Sequence, residues 1–455
     1  MRIKYGQKIA ALVCVGALLL TACGKSKESI VSAAGSAVSG TVEAVSAAQG
    51  ELTVAMSEGD AVNAYQDDGF YKVEACKSDR FLNLMFYDYN ACEARFLCND
   101  PACTHDHAGC TSFLDTTYAV SPFVAGGKLY LRYMGYNDGS ADKNNWPSAL
   151  EQRELDGTGA KLLTTAEYGA LAGSGTVYTD EKACYIERYG SEKAMLRIDL
   201  ATGEQTVVPI PFDPNCMLLP ATYEGKMLAF SYEGEENAPD AAKILYGISV
   251  QTGERTLLHK WPVNTMGYNM PGELHDGKLY YINIQTGNIM AYDLAQDTDT
   301  LVTDVFAQYN GAVALEKVVT NPEGDGLITV PGSVSLAQGW GGRIFGDWLF
   351  ISWLTSSEDT VTHAYHLKTG ERKEITLTDF WNGYEHPMWV MADTPHGLLV
   401  LEEHRPFTMN STGTDGKPYS FESSYEVYAL MDLDAYLASQ PDFRTLVPVV
   451  PFGAN

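Results

Sequence analysis

The chain has 455 residues, of which 45% are hydrophobic, and its net charge is −27 at pH 7. This apolar fraction is ample for a buried core. So acidic a chain repels phosphate backbones and anionic lipid headgroups, which excludes nucleic acid as a partner and disfavours peripheral membrane binding. The 27 Tyr and 42 Gly residues favour β structure.

The N-terminus has the three-part pattern of a secretory signal. Basic residues among the first eight precede an apolar run of 12 residues over 9–20, and Leu-Thr-Ala-Cys follows, ending at Cys23. The run is short for a membrane span. The four residues resemble the lipobox of bacterial lipoproteins, in which the chain is cut before the cysteine and its sulfur receives a diacylglyceryl group. The alternatives are a signal cut elsewhere and an N-terminal anchor helix.

The resemblance implies a lipoprotein signal peptide over 1–22, lipidation of Cys23, and an extracytoplasmic protein that is lipid-anchored to the cell membrane. Two acyl chains suffice for stable anchoring. Removal of the signal takes out three basic residues and no acid, so the mature net charge is −30. Residues 23–60 are rich in Ser, Ala and Gly, which predicts a flexible tether. No second apolar run of about 18 residues follows, so we expect membrane attachment through the N-terminal lipid only.

Residues 61–455 repeat a unit of about 50 residues, in which a glycine leads into a short apolar strand. These glycines are Gly127, Gly175, Gly225, Gly277, Gly346 and Gly397. A second landmark is a Thr-Gly-Glu turn around Gly203, Gly253 and Gly370, where glycine supplies the positive φ of a hairpin turn. Several short strands in a repeat of fixed period are typical of a β-propeller.

We therefore predict an all-β fold, a β-propeller of about seven four-stranded blades. Six or eight blades are the alternative counts, and an array of β-sandwiches is the alternative architecture. The glycine landmarks mark six units, and the strands over 70–97 supply a seventh. The first and last segments are expected to share one blade and so close the ring. Insertions at roughly 304–332 and 405–424 are interpreted as loops that cover one face.

The Asp-Leu-Ala-Thr-Gly-Glu sequence at 199–204 resembles the repeats of TolB-like and quinoprotein-like propellers. The resemblance covers residues 69–447 at the level of architecture. Quinoprotein dehydrogenases carry Trp in these repeats and an adjacent Cys pair beside the cofactor. Because this chain has neither, we do not expect pyrroloquinoline quinone.

The sharpest local motif is a Cys/His segment over 98–110, with the spacing C-x4-C-x-H-x-H-x2-C. Pro101 and Gly109 permit the chain to fold back, and three Cys with one His suit a structural zinc site. The candidate metal ligands are Cys98, Cys103, His105 and Cys110. These four positions also resemble a Cys-x4-Cys-x-His…Cys segment of uncharacterised propeller lipoproteins of anaerobic Gram-positive bacteria. His107 lies outside that pattern.

Three interpretations of this segment stay open: structural zinc, a disulfide, and free or redox-active thiols. Exported proteins often oxidise their cysteines. Seven cysteines remain once the signal is removed and Cys23 is lipidated, an odd number that cannot all pair within one chain. Cys184 and Cys216 are expected to be plain core residues.

The sequence contains no nucleophile elbow, no His-Glu-x-x-His and no phosphate-binding glycine loop. Aromatic side chains on propeller loops can stack on sugars or peptides. The candidate ligand-binding residues are Trp340, Trp381, Tyr384, His386 and Trp389. Packing of the Trp residues between blades is the alternative.

These observations predict a monomeric, surface-anchored lipoprotein whose propeller serves as a ligand- or protein-binding scaffold in the cell envelope. Its partner would be an envelope protein, a glycan or a small ligand. The alternative is a secreted enzyme that acts on glycans or peptides, because a propeller fold does not by itself exclude catalysis.

Overall fold

The computed structural model describes most of the chain after residue 50. The described residues are 51–57, 63–140, 146–171, 175–188, 194–208, 210, 216–234, 241–262, 273–283, 288–304, 316–320, 327–331, 343–354, 360–381, 384–412 and 418–454. Within these ranges the chain forms 34 strands and one short helix, which confirms the all-β prediction. No helix among them is long and apolar enough to cross a membrane. The predicted signal peptide and Cys23 lie outside the described residues.

Seven antiparallel four-stranded blades follow one another along the chain and form a ring, which confirms the predicted seven-bladed propeller. Each is built from one continuous segment. From the innermost strand outward, blade 1 consists of β2 (Asn63–Gln66), β3 (Gly69–Glu74), β4 (Leu82–Asp88) and β5 (Glu93–Phe96) with β6 (Phe113–Leu114). Blade 2 consists of β7 (Val120–Ala125), β8 (Lys128–Tyr133), β9 (Ser148–Arg153) and β10 (Lys161–Ala166), and blade 3 of β11 (Val177–Thr179), β12 (Ala183–Arg188), β13 (Ala194–Asp199) and β14 (Gln205–Val208). Blade 4 consists of β15 (Met217–Tyr223), β16 (Lys226–Glu233), β17 (Ala242–Ser249) and β18 (Arg255–Pro262).

The remaining three blades are built in the same way, with a hairpin inserted before each of the last two. Blade 5 consists of β19 (Glu273–His275), β20 (Lys278–Ile282), β21 (Asn288–Asp293) and β22 (Thr298–Asp304). The hairpin of β23 (Glu316–Thr320) and β24 (Leu327–Pro331) precedes blade 6, which consists of β25 (Arg343–Phe345), β26 (Trp348–Leu354), β27 (Thr360–His366) and β28 (Arg372–Ile375). The hairpin of β29 (Thr378–Trp381) and β30 (Tyr384–Pro387) precedes blade 7, which consists of β31 (Val390–Thr394), β32 (Gly397–Thr412), β33 (Pro418–Met431) and β34 (Arg444–Leu446), with α1 (Leu433–Leu437) before its last strand.

The two faces of the ring differ in their connections. We call the face at which the innermost strands end the tight-turn face, because short turns join the first to the second strand and the third to the fourth there. The opposite, long-loop face carries the other connections. On that face β32 and β33 continue far past their partners, so residues 405–424, which we interpreted as a covering loop, largely extend these two strands as a hairpin.

The first glycine landmark marks the turn from the first to the second strand in all cases but one. Gly127, for example, has a φ of 69° and directly precedes β8. Gly175 departs from this rule, because it lies before β11, the innermost strand of blade 3. The equivalent turn in blade 3 is made by Glu181, with a φ of 67°. The interpretation of Gly175 as a landmark was therefore wrong, because this glycine precedes the first strand of its blade and not the second.

The second landmark is an inter-blade contact as well as a turn. A Cβ on Gly203 of blade 3, which has a φ of 78°, would lie 2.1 Å from the carbonyl oxygen of Leu163, at a bulge in β10 of blade 2. A Cβ on Gly157 would lie 3.0 Å from the carbonyl of Leu97 in the preceding blade, whereas one on Gly370 would make an ordinary contact of 3.4 Å with that of Val302. The glycine is therefore required both for its positive φ and for close approach to the neighbouring blade.

The ring closes by contact between blades 1 and 7, and the expected sharing of one blade by the two chain ends was wrong. The N–H of Ala94 in blade 1 donates to the carbonyl of Val447 at 2.7 Å, and the N–H of Val447 donates to that of Cys92 at 2.9 Å. Apolar residues from both blades, among them Phe70 and Leu399, form one buried cluster. The last residues therefore extend the outer edge of blade 7 onto blade 1.

A buried polar cluster joins the same two blades. The Lys72 ammonium lies 2.6 Å from Glu74, 2.7 Å from Glu426 and 2.8 Å from the hydroxyl of Tyr428. Burial by itself would lower the pKa of Lys72, but Glu74, Tyr428 and Glu426 raise it well above its usual value. The lysine is therefore charged and fully paired at the ring closure.

An additional strand, β1 (Thr53–Met56), lies in the central channel. It pairs antiparallel with β11 and contacts β7 and β15, the innermost strands of the adjacent blades. Met56 packs in the core between blades 2 and 3, and Leu52 in the core between blades 3 and 4. Residues 53–56, which we assigned to the tether, are therefore part of the propeller.

Substitution of Gly203 tests the inter-blade role of the second landmark. Gly203→Ala should lower the free energy of unfolding by about 2 to 4 kcal/mol, because strain at positive φ adds to displacement of the Leu163 carbonyl. Gly225→Ala is the matched control, since Gly225 has a φ of 70° but nothing within 4 Å of its Cβ position; it should cost about 1 kcal/mol. Equal losses in urea unfolding would show that the close approach is unimportant.

Candidate functional sites

The Cys/His segment interrupts the outermost strand of blade 1. Strands β5 and β6 both pair with β4, and residues 97–112 between them leave the sheet; we call these residues the Cys loop. Its two ends are held by one residue, Leu84. The N–H of Leu84 donates to the carbonyl of Ser112 at 2.8 Å, and its carbonyl accepts the N–H of Leu97 at 2.9 Å. The loop is therefore closed at its base by sheet hydrogen bonds.

The four predicted ligands come together in this loop. The sulfurs of Cys98, Cys103 and Cys110 and one ring nitrogen of His105 all lie within 4.8 Å of one another. All seven cysteines in the described part of the chain are free, so no disulfide competes for these thiols there. The left-handed φ of 62° at His105 turns the chain back at this point. The arrangement can hold a metal ion.

Burial and hydrogen bonds shift the pKa values of the thiols in different directions. Burial opposes ionisation of Cys98, but hydrogen bonds from the Asp100 backbone and the other two thiols outweigh it and lower its pKa. Burial raises the pKa of Cys110 to about 12, although the N–H of Ser112 donates to its sulfur at 3.3 Å. Burial also lowers the pKa of His105, which keeps the imidazole neutral as a metal ligand requires. The cluster is therefore prepared for a cation that would stabilise the thiolates.

His107 supports the cluster without belonging to it. The N–H of Gly109 donates to Nδ1 of His107 at 3.2 Å, so in the neutral ring Nε2 carries the proton. That nitrogen lies 3.6 Å from the sulfur of Cys103. Sequence spacing alone did not assign this role to His107, because it depends on the turn that Gly109 permits.

The Cys loop also braces blade 1 against blade 2. The guanidinium of Arg153 in blade 2, itself paired with Glu151, donates to the carbonyl of Thr111. Asn99 donates to the carboxylate of Asp156 at 3.4 Å. A bound ion would therefore fix a loop that contacts two blades.

The aromatic candidates separate into two places. The rings of Trp381 and His386, on the hairpin β29–β30, have centroids 5.8 Å apart, and the backbone of Tyr384 pairs with that of Trp381. Trp389 lies just before β31, is 39% exposed, and lines a small cavity between blades 6 and 7. Trp340 lies outside the described residues. The structure therefore brings together only the residues of the hairpin.

A buried Asp–His pair beside Trp381 was not found by sequence reasoning. The carboxylate of Asp379 accepts the backbone N–H of His404 at 3.0 Å and contacts Nδ1 of its ring. The indole of Trp381 stacks on the same imidazole, with centroids 4.9 Å apart and planes 21° from parallel. The two residues of the pair are 25 positions apart on different hairpins, so no local spacing signals them.

The exposed aromatic residues are gathered on one face. Four aromatic side chains in the described part of the chain are more than a third exposed: Tyr168, Phe380, Trp389 and Phe421. Each lies in an inter-blade connection or in the extension of β32–β33, and hence on the long-loop face. The exposed aliphatic residues Val207, Leu257 and Leu301 lie instead on outermost strands at the rim.

Comparisons with known proteins identify no family for this chain and carry no argument about its function. No protein-family model and no curated protein sequence matches the chain. Among solved structures, TolB from Acinetobacter baumannii is 12% identical, with 80% of this chain and 78% of TolB aligned and a TM-score of 0.29. A puromycin-hydrolyzing peptidase of Mycobacterium tuberculosis is 12% identical, with 84% of this chain and 60% of the peptidase aligned and a TM-score of 0.38. This chain therefore spans less than two thirds of the peptidase.

Proposed function

We propose that the chain is an extracytoplasmic lipoprotein, anchored through Cys23, whose propeller binds an envelope protein, a glycan or a small ligand through its long-loop face. The observation that carries the proposal is the placement of all four exposed aromatic residues of the described chain on that face. Aromatic side chains with one open face are common anchors in protein and sugar recognition. The outermost strands at the rim of the ring offer no such anchors, because none of these four aromatic side chains lies there.

The occupied channel also supports a scaffold. Many propeller ligands would enter the central channel, and here β1 pairs with the innermost strand of blade 3. Leu52 and Met56 pack from β1 into the blade cores, which holds β1 against the channel wall. No titratable group is brought in by β1 itself. Binding on the outer surface of the face is therefore favoured over chemistry inside the channel.

An enzyme is the second candidate, and one observation favours it. Asp379 orients the imidazole of His404 through Nδ1, which leaves Nε2 as a possible base. Trp381 beside it offers a stacking surface for a sugar or an aromatic group. In this reading His404 would accept a proton from a water or substrate hydroxyl in the hydrolysis of a glycan or peptide.

Affinity capture from native membranes separates the two functions. The wild-type protein should incorporate radiolabelled palmitate and Cys23→Ala should not, because the acyl chains are attached through Cys23. The double variant Tyr168→Ser with Phe380→Ser should stay folded and lose most of the co-purifying partner. The control double variant Leu257→Ser with Leu301→Ser removes similar apolar exposure at the rim and should retain it.

Unchanged capture by the aromatic variant would contradict a binding role for the long-loop face. Cleavage of an envelope glycan or peptide by the wild type, lost in His404→Gln, would replace the scaffold with an enzyme. Equal incorporation of palmitate by Cys23→Ala and the wild type would refute the anchor.

We also infer that the ion held by the Cys loop is structural zinc. Three thiolates and one imidazole are a ligand set that zinc prefers, and four protein ligands leave no open position for catalysis. The inference is supported by the 4.8 Å limit on the separations among the ligand atoms and by the neutral state of His105. The role would be to brace blades 1 and 2.

Metal analysis of the purified protein tests this inference. The wild type should contain one zinc per chain, and Cys103→Ser should lose it and unfold at lower temperature, because the brace is no longer fixed. His107→Ala should keep one zinc and bind it about 10 to 100-fold more weakly, since it removes only a donor to a ligand. Cys216→Ser, outside the loop, is the control. A zinc-free wild type with fully titratable thiols would contradict the inference.

A further inference from the structure

The direction of β1 fixes where the preceding chain meets the propeller. Thr53 lies opposite Thr179, the last residue of β11, and Met56 lies opposite Val177, the first. The blades are related by rotation about the ring axis, so every innermost strand ends at the tight-turn face. Because β1 is antiparallel to β11, it begins at the tight-turn face and ends at the long-loop face.

A contact with a different blade agrees with this direction. The hydroxyl of Thr222 donates to the carbonyl of Leu52 at 3.0 Å. Thr222 is next to last in β15, directly before the tight turn at Glu224 and Gly225. Leu52 therefore lies on the tight-turn side of the channel, as the pairing with blade 3 requires.

The length of the chain that follows β1 also agrees with this direction of β1. Six residues, 57–62, connect β1 to β2, the innermost strand of blade 1. Since β2 begins at the long-loop face, β1 must end there for so short a connection to suffice. The N-terminal strand thus crosses the channel once, from the tight-turn face to the long-loop face.

We propose that the lipid anchor joins the propeller at the tight-turn face, so that on average the long-loop face lies farther from the membrane. This rests on the proposed lipidation of Cys23. The face with Tyr168, Phe380, Trp389 and Phe421 is then presented to molecules on the far side of the membrane surface. The strands of a blade reach eight residues, as in β16, so the two faces differ in height by roughly 25 Å.

Charge keeps the anchored face off the lipid. The first-to-second-strand turns on the tight-turn face carry several carboxylates and few aromatic residues. Those in the described turns include Asp67, Asp68, Glu224, Asp276 and Asp347. Carboxylates are repelled by anionic headgroups, so this face would hang from the tether without binding the bilayer.

Energy transfer to lipid measures the orientation. The full-length lipidated protein is reconstituted in phosphatidylcholine vesicles that contain a headgroup-linked acceptor dye. A donor dye is attached to an azide-bearing residue placed either at Gln251, exposed in a tight turn of blade 4, or at Ser140, exposed in a long loop of blade 2. Because the tight-turn face lies closer to the membrane on average, transfer from position 251 should exceed that from position 140, and the roughly 25 Å between the faces is the largest difference in height between the two dyes.

A variant with a shortened tether, lacking residues 29–45, should increase the ratio of the two transfer efficiencies because the propeller is held closer to the membrane. Equal transfer from the two positions in both proteins, or greater transfer from position 140, would overturn the proposed orientation while leaving the anchor in place. Failure of the protein to bind vesicles at all would instead refute lipid anchoring, so the two proposals fail in different ways.

Discussion

Ring closure is the contact on which the rest of the structure depends. Each propeller blade is a sheet with two apolar faces, and only a closed ring covers both faces of every blade. Here the two chain ends do not share a blade, so closure between blades 1 and 7 depends on side chains and on two backbone hydrogen bonds at Val447. The apolar part is supplied by a cluster that includes Phe70 and Leu399, and the polar part by Lys72, which bonds to three groups at once.

In the closed ring, all blades have the same strand order, so connections of the same kind lie on the same face. Tight turns fall on one face because hairpins need few residues, and insertions accumulate on the other face. The chain enters at the first face along β1, and the exposed aromatic residues lie on the second. The Cys loop occupies neither face, since it interrupts an outermost strand and contacts the neighbouring blade at the rim. The start of β1, the exposed aromatic residues and the Cys loop therefore lie on three different parts of one domain.

The sequence predicted what is encoded locally. The blade number followed from glycines such as Gly127 and Gly203, whose positive φ is a property of single residues. The four candidate metal ligands lie within 13 residues, so one loop can bring them together, as it does here. Long-range pairings could not be predicted in this way. The channel strand β1, the Asp379–His404 pair and the contacts of Lys72 with blade 7 join residues 25 to 356 positions apart, and nothing in their immediate neighbours signals a partner. Gly175 was misassigned for a related reason. The sequence shows that a glycine precedes a strand, but not which strand of the blade it precedes.

The central claim, that a buried lysine closes the ring, is tested most directly by chemical unfolding of Lys72 variants. Lys72→Met alone leaves Glu74 and Glu426 without their cation, and it should lower the free energy of unfolding by about 3 kcal/mol. Adding Glu74→Gln and Glu426→Gln to that variant should recover most of the loss, because the uncompensated charges are removed with the lysine. If Lys72→Met unfolded at the same urea concentration as the wild type, with the same slope, closure would not depend on this contact and the account would be contradicted.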